Sequence, residues 1–250
     1  MDLNNKVGVI TGAAQGLGKA FAEALLSKGA KVSISDVNVE VGRKTASEFE
    51  KKYGKEKVLF MKCDVTSSEE FEDVFKKTKT KYGNIDIVIN NAGIVNEKHW
   101  KKAIQINLMG SIEGTLLAIQ YMSRSTGGQG GVIINIASAA GLQPVFTMPT
   151  YSASKHGTVG YTTSWAQNPE NTTNGLRFNC ICPTFVDTNI IKITDDNTLS
   201  KQASEQLLQH YGVMGVEKVV EGVMEVITDK SKNGAVLKIT SQNGLEYLNQ

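Results

Sequence analysis

Tyr151 and Lys155 stand four residues apart in "TYSASKHG", with only Ser152, Ala153 and Ser154 between them. Four residues is one helical turn, so on a helix the phenol and the ammonium rise from the same face. A free phenol titrates near pH 10, too high for a base at neutral pH, and a neighbouring cation favours its ionised form. Such a pair could take a proton from a hydroxyl, although the same spacing also describes an ordinary solvated helix face. A second chemical signal is "TGAAQGLG", residues 11–18, with Gly12, Gly16 and Gly18 around Gln15 and Leu17. Gly12 permits a sharp turn, Gly16 a close backbone approach to a phosphate, and Gly18 tight packing of a helix on a strand. A helix starting here would offer free N–H groups to a pyrophosphate; a glycine turn without ligand is the plainer alternative. Asp36, further along, could accept hydrogen bonds from both hydroxyls of an adenosine ribose, or cap a helix. Val37 follows it, and no arginine stands in "SDVNVE", so a 2′-phosphate would be repelled.

These residues need a scaffold. "KVGVIT" (6–11) reads as a strand running into Gly12. "GLGKAFAEALLSKGA" (16–30) reads as a helix, with Leu17, Ala20, Phe21, Ala24 and Leu25 at spacings of three and four. Strands follow at 31–35, 57–63, 85–93, 131–138, 176–182 and 235–240, and helices at 39–54, 67–83, 98–124, 150–167 and 216–228. Pro169 should stop the helix that carries Tyr151 near Asn168 and make "NPENTTNG" a turn. Nearly continuous apolar strands alternating with helices indicate an α/β fold, a doubly wound parallel sheet covered on both faces. Ligands in such sheets sit at the carboxyl ends of the strands. That places Cys63, Asp64 and Val65 beside an adenine, and Asn91, Ala92 and Gly93 where the strand order reverses. One domain, 1–250, is expected, with a long irregular insert at about 187–213 that favours a lid, or failing that a plain surface helix over 199–211.

A net charge of +2 is too mild to suggest nucleic acid or an anionic membrane as partner. No apolar run approaches the length of a membrane span, and the start has no basic-then-apolar leader pattern. The three cysteines, Cys63, Cys180 and Cys182, form no disulfide framework. Cys180 and Cys182 lie inside a strand as small hydrophobes, with no His/Cys cluster to hold a metal. A reducing compartment, the cytoplasm, is expected.

In their order, "TGAAQGLG", "CDV", "NNAG", Asn107, Ser138, "YSASK" and "CPTFVDT" resemble the short-chain dehydrogenase/reductase family over essentially the whole chain. The resemblance implies a Rossmann-like sheet of order 3-2-1-4-5-6-7, NAD-dependent oxidation of alcohols, and a catalytic tetrad of Asn107, Ser138, Tyr151 and Lys155. It implies that Tyr151 and Lys155 also touch the cofactor, that Pro183, Val186 and Thr188 meet its nicotinamide end, and that Asn107 holds a water connecting Lys155 to solvent. It also implies a homodimer built on helices 98–124 and 150–167. Through "NNAGIVNEKHWKKAIQINL" and "YSASKHGTVG" the chain resembles the branch of NAD-dependent 15-hydroxyprostaglandin dehydrogenases and insect alcohol-dehydrogenase-like proteins. Met148 and Thr184 depart from that branch, where glutamine and glycine are usual.

The substrate is read from apolar residues. Ile190, Ile191, Ile193, Leu199, Leu207, Leu208 and Tyr211 in the insert could cover a cleft walled by Leu142, Val145, Phe146 and Met148, with Ser138, Tyr151 and Phe185 at its base. Neither wall offers an arginine or lysine. A lipophilic secondary or allylic alcohol is therefore expected, a hydroxyprostaglandin-type lipid being the alternative. A catalytically idle NAD-binding sensor is the rival from another class; it would have no need of all four tetrad residues.

Overall fold

The structure is a computed structural model and describes residues 1–248. Its strands are β1 (Val7–Thr11), β2 (Lys31–Asp36), β3 (Val58–Lys62), β4 (Ile87–Asn90), β5 (Gly131–Ile136), β6 (Leu176–Pro183), β7 (Val236–Thr240) and β8 (Gly244–Leu248). They form one sheet in the order β3-β2-β1-β4-β5-β6-β7-β8. β1 to β7 are parallel, and β8 folds back antiparallel on β7. This eighth strand lies beyond the seven expected. Its signal was present: Asn243-Gly244 separates two short apolar runs, and Gly244 takes the left-handed φ of +72° that such hairpins require.

Side chains alternate across the sheet with the strand period of two. Ile10, Ile89 and Ile134 pack under α1 (Gly16–Ser27), α2 (Val39–Tyr53) and α9 (Val216–Thr228). Their neighbours Val9, Val88 and Ile133 pack under α3 (Ser68–Tyr82) and α5 (Gly110–Met122) on the other face. Both faces are thus buried, which is why the strands read as unbroken apolar runs. Ser67 caps α3, as its position before an acidic first turn predicts.

Two helical readings are corrected. The stretch 98–124 is not one regular helix: α4 (Trp100–Ile104) passes into α5 through a widened π-type turn, Gln105–Met109, which contains Asn107. Nor does "NPENTTNG" form only a turn. After α6 (Pro149–Ala166), the Asn168 side chain accepts the Glu170 N–H at 3.0 Å, and α7 (Glu170–Asn174) starts at once. Proline is tolerated at a helix start, where its missing N–H costs nothing, so Pro169 ends one helix and begins the next.

α6 is moored to the sheet by a buried polar chain. Asn90 on β4 donates to Asn135 on β5 at 2.8 Å, and Asn135 donates to Thr162 on α6 at 2.8 Å. Lower down, Trp165 stacks on Phe178 of β6 with ring centroids 5.8 Å apart.

Candidate active site

The carboxyl ends of β1 to β7 open into one cleft of about 760 Å³. Of the cofactor, catalytic and substrate residues expected at the site, all lie on its wall except Gly18 and Asn107; Leu199, expected to help cover the cleft, is exposed instead. α6 presents Tyr151 and Lys155 one turn apart, as the spacing predicts. Lys155 is buried, and its Nζ stands 5.6 Å from the centre of the Tyr151 ring. Its ammonium donates to the Ile136 carbonyl at the end of β5, at 2.8 Å. Ser138 follows on the same strand end; its hydroxyl accepts the Ala140 N–H at 3.1 Å, donates to the Pro183 carbonyl at 3.4 Å, and stands beside the Tyr151 phenol.

Lys155 by itself does not bring the phenol toward neutrality. Burial pushes the Tyr151 phenol up to about 12, with the Ser138 hydrogen bond opposing the shift. Burial likewise lowers Lys155 to about 8. Desolvation outweighs the neighbouring cation. Activating this tyrosine takes a further positive charge.

At the other end of the cleft, Gly12 and Gly16 hold φ of +61° and +57°. A side chain at Gly12 would meet the Ala92 Cα at 2.9 Å. α1 starts with no side-chain cap and no acidic residue in its first turn. Among the described residues the N–H groups of Gly16 and Leu17 find no protein acceptor. Unpaired donors at a bare helix start fit a phosphate group. Asp36 does not cap α2; Asn38 does, accepting from the Val41 N–H at 3.1 Å. The Asp36 carboxylate instead takes the N–H groups of Ala14 at 3.0 Å and Asn38 at 2.9 Å. These bonds hold it at the cleft wall with acceptor capacity left for a diol. The residues present therefore fit a dinucleotide whose diphosphate lies on α1 and whose ribose lies on Asp36.

Gly18 sits behind this wall. It lets α1 press against the Gly12 carbonyl and the Asn91 amide, and that amide bonds the Thr11 and Gly12 carbonyls at 2.9 and 3.0 Å. Asn107 is also removed from the cleft. Its buried amide straps Ile94, accepting from its N–H at 2.8 Å and donating to its carbonyl at 2.9 Å, and reaches Ser154 at 3.2 Å. It shapes the loop beside Lys155 rather than lining the site.

The insert after β6 covers the cleft. The stretch 201–211 is a helix, α8 (Lys201–Tyr211), and it places Leu207, Leu208 and Tyr211 on the wall. Leu199 N–H and the Thr198 hydroxyl both bond the Thr147 carbonyl, at 2.9 and 3.1 Å, pinning the insert beside Met148. The β7–β8 hairpin supplies a third wall that the sequence reading lacked. It brings Lys238 and Thr240 into the cleft, and the insert itself adds Lys192. The expectation of no cation on the walls is thereby corrected. Lys238 is paired only loosely, 3.5 Å from Glu246. Glu97 also escaped notice, because a lone glutamate in a loop carries no motif. Cys180 and Cys182 are buried with their sulfurs 3.9 Å apart, packed with Ala137 and Val236, and no metal-binding group occurs among the described residues.

Residues 6–199 match the family described as short chain dehydrogenase. The chain is 44% identical to the NAD(+) 15-hydroxyprostaglandin dehydrogenase of Bos taurus, across 99% of this chain and 95% of that protein. It is 43% identical to the same enzyme of Homo sapiens, with the same coverage. Among solved structures, it superposes on a short chain dehydrogenase/reductase from Burkholderia phymatum in complex with NAD, with a TM-score of 0.82 and 26% identity over 92% of this chain and 88% of that one. Levodione reductase is similar at a TM-score of 0.84 and 27% identity, over 96% and 98% of the two chains.

Proposed function

Because the chain belongs to the short chain dehydrogenase family, we propose that it oxidises a lipophilic secondary or allylic alcohol with NAD, Tyr151 taking the hydroxyl proton. The observation that carries this reading is one cleft holding a Ser138–Tyr151–Lys155 cluster, a bare helix start beside Asp36, and an otherwise largely apolar wall. NAD, when bound, supplies a hydride acceptor and a positively charged ring. The protein does the rest. Ser138 holds the substrate oxygen by hydrogen bonding and stabilises its developing charge. Tyr151 Oη receives the proton and Lys155 favours the phenolate; Lys155 would also hold ribose hydroxyls of the cofactor, and Val186 and Thr188, on the cleft wall, would border its carboxamide. The segment at about 187–213 acts as a lid that keeps water from the reacting carbon.

A hydroxy lipid of the 15-hydroxyprostaglandin type falls within this class. The near-full-length identity to enzymes of that name and the loosely paired Lys238 both favour it, since an ammonium in an apolar cleft suits a lipid carboxylate. The test is NADH formation with 2-alkanols of increasing length, and with a 15-hydroxyprostaglandin as free acid and methyl ester. Each buried methylene contributes about 0.8 kcal/mol, so kcat/KM should climb several-fold per two carbons before levelling. The acid should outperform its ester. A flat or falling series would remove the apolar-pocket reading, and an absence of turnover with every alcohol would favour an NAD sensor.

Cofactor choice follows from Asp36. A fixed carboxylate facing a 2′-phosphate costs more than about 1.4 kcal/mol, so NAD should be preferred to NADP by well over tenfold. Asp36→Ala with Val37→Arg should narrow or reverse that ratio. Equal kcat/KM for the two cofactors in the wild type would contradict the assignment.

Trp100, Met109 and Leu116 are exposed on the helices α4 and α5 and the turn between them, which supports association into a homodimer there. No described helix is long and apolar enough to cross a membrane. The free cysteines, all buried, are compatible with work in the cytoplasm.

A further inference from the structure

The 18-residue helix α6, the longest regular α-helix among the described residues, starts without a cap of its own. Pro149 has no N–H, and Met148 before it provides no side-chain acceptor. α2, α3 and α8, by contrast, are capped locally by Asn38, Ser67 and Ser200. A helix leaves its first N–H groups unpaired, and in α6 these belong to Thr150 and to Tyr151 itself. Both end on a single carboxylate from a distant loop. Glu97 Oε2 accepts from Thr150 at 3.0 Å, and Oε1 accepts from Tyr151 at 2.9 Å. Such charge-assisted pairs are stronger than neutral ones, and the positive end of the helix favours the carboxylate further.

The loop that carries Glu97 is itself held at both ends. Asn107 straps Ile94, three residues earlier, through both of its peptide groups. Lys98, the next residue, forms an ion pair with Asp196 at 2.9 Å, and its N–H bonds the Asp196 carbonyl at 3.1 Å. Glu97 thus stands on a fixed strut between the cleft wall at Ile94 and the segment that covers the cleft.

We infer that Glu97 is a positioning residue for Tyr151: its two hydrogen bonds set the first turn of α6 and with it the height of the phenol in the cleft. The inference rests on Tyr151 as proton acceptor. Glu97 acts on the reaction through the backbone of that residue. The far half of α6 is moored by Thr162, but the first turn depends on Glu97, and proton transfer is sensitive to displacements of an ångström or less.

The test combines kinetics with hydrogen exchange on the whole protein. With NAD and 2-decanol, Glu97→Ala should lower kcat about 10- to 100-fold while both KM values stay within about twofold. The deuterium isotope effect on kcat, measured with 2-decanol labelled at the carbinol carbon, should rise as the chemical step becomes limiting. In the ligand-free protein the amides of Thr150 and Tyr151 should lose protection, while those from Lys155 onward keep theirs. Glu97→Gln retains one acceptor oxygen and should fall between wild type and alanine in both readouts; it carries the test if the alanine variant does not fold. A kcat near the wild-type value in both variants, or unchanged exchange at Thr150 and Tyr151, overturns the inference. So does a loss spread evenly over kcat, KM and thermal stability. A wild type that turns over neither 2-decanol nor a 15-hydroxyprostaglandin refutes the proton-acceptor reading instead, and the exchange experiment then decides alone whether Glu97 holds the helix start.

Discussion

Tyr151→Phe is expected to lower turnover at least about a hundredfold while the protein stays folded and still binds NAD. Phenylalanine keeps the half-buried ring and removes only the phenol oxygen beside Ser138. Binding is checked by the quenching of protein fluorescence on adding NADH, and turnover by NADH formation. The pH profile adds a sharper criterion. The phenol, up to about 12 in the ligand-free protein, is protonated throughout the ordinary range. Oxidation needs its ionised form, so the wild-type rate should rise with pH from a midpoint well below 12, displaced by the positive charge gathered in the complex. Lys155, at about 8 in the ligand-free protein, loses its charge as pH rises, so the climb should flatten rather than continue. The residual rate of the phenylalanine variant should lack the climb altogether. Near-normal activity with an unchanged profile would mean that another group takes the proton.

Gly18→Ala should weaken NAD binding about 10- to 100-fold and lower the unfolding midpoint, measured by calorimetry with and without cofactor. An added Cβ would lie 2.8 Å from the Ala13 Cα and 2.7 Å from the Asn91 amide, and closer still to the Gly12 carbonyl. Two of these neighbours are backbone, so no rotamer change relieves the clash. α1 would have to lift from β1, taking its free N–H groups away from the diphosphate. An alanine variant with unchanged affinity and stability would show that the turn has slack the geometry does not reveal.

Much of this site could be read before any coordinates because its chemistry is bound to local pattern. The Tyr151–Lys155 spacing is a property of one helix, and the glycine turn is a property of one strand–helix junction. Asn107 is different. Its side chain acts on Ile94, thirteen residues earlier across the widened turn, and no periodicity announces that turn. Glu97 escaped for a similar reason: its partners, Thr150 and Tyr151, lie 53 and 54 positions away. Lys238 escaped because β8 was missed, and without the hairpin β7 has no reason to form a cleft wall. The buried Asn90–Asn135–Thr162 chain hides inside strands that look purely apolar, where a single asparagine reads as an interruption. Pro169 misled for another reason, since the same residue that ends one helix is well suited to begin another.

The strand order has a consequence for how the protein comes to exist. β1 lies between β2 and β4, so the glycine turn is completed by the Asn91 amide bonding Gly12, 79 positions away. The insert reaches back further, Asn189 bonding Gln15 across 174 positions. Contacts this distant form late and slowly, because loop closure must precede them. During synthesis the glycine turn emerges first and must wait for β4, then for the insert, then for β7, before the cleft is whole. Half-made chains expose the strands of a parallel sheet without their coverings, and this is the interval in which they are most prone to aggregate. NAD, which needs the finished cleft, stabilises only the completed fold; it should raise the yield of refolding by holding what has already folded, and leave the rate of reaching that state unchanged.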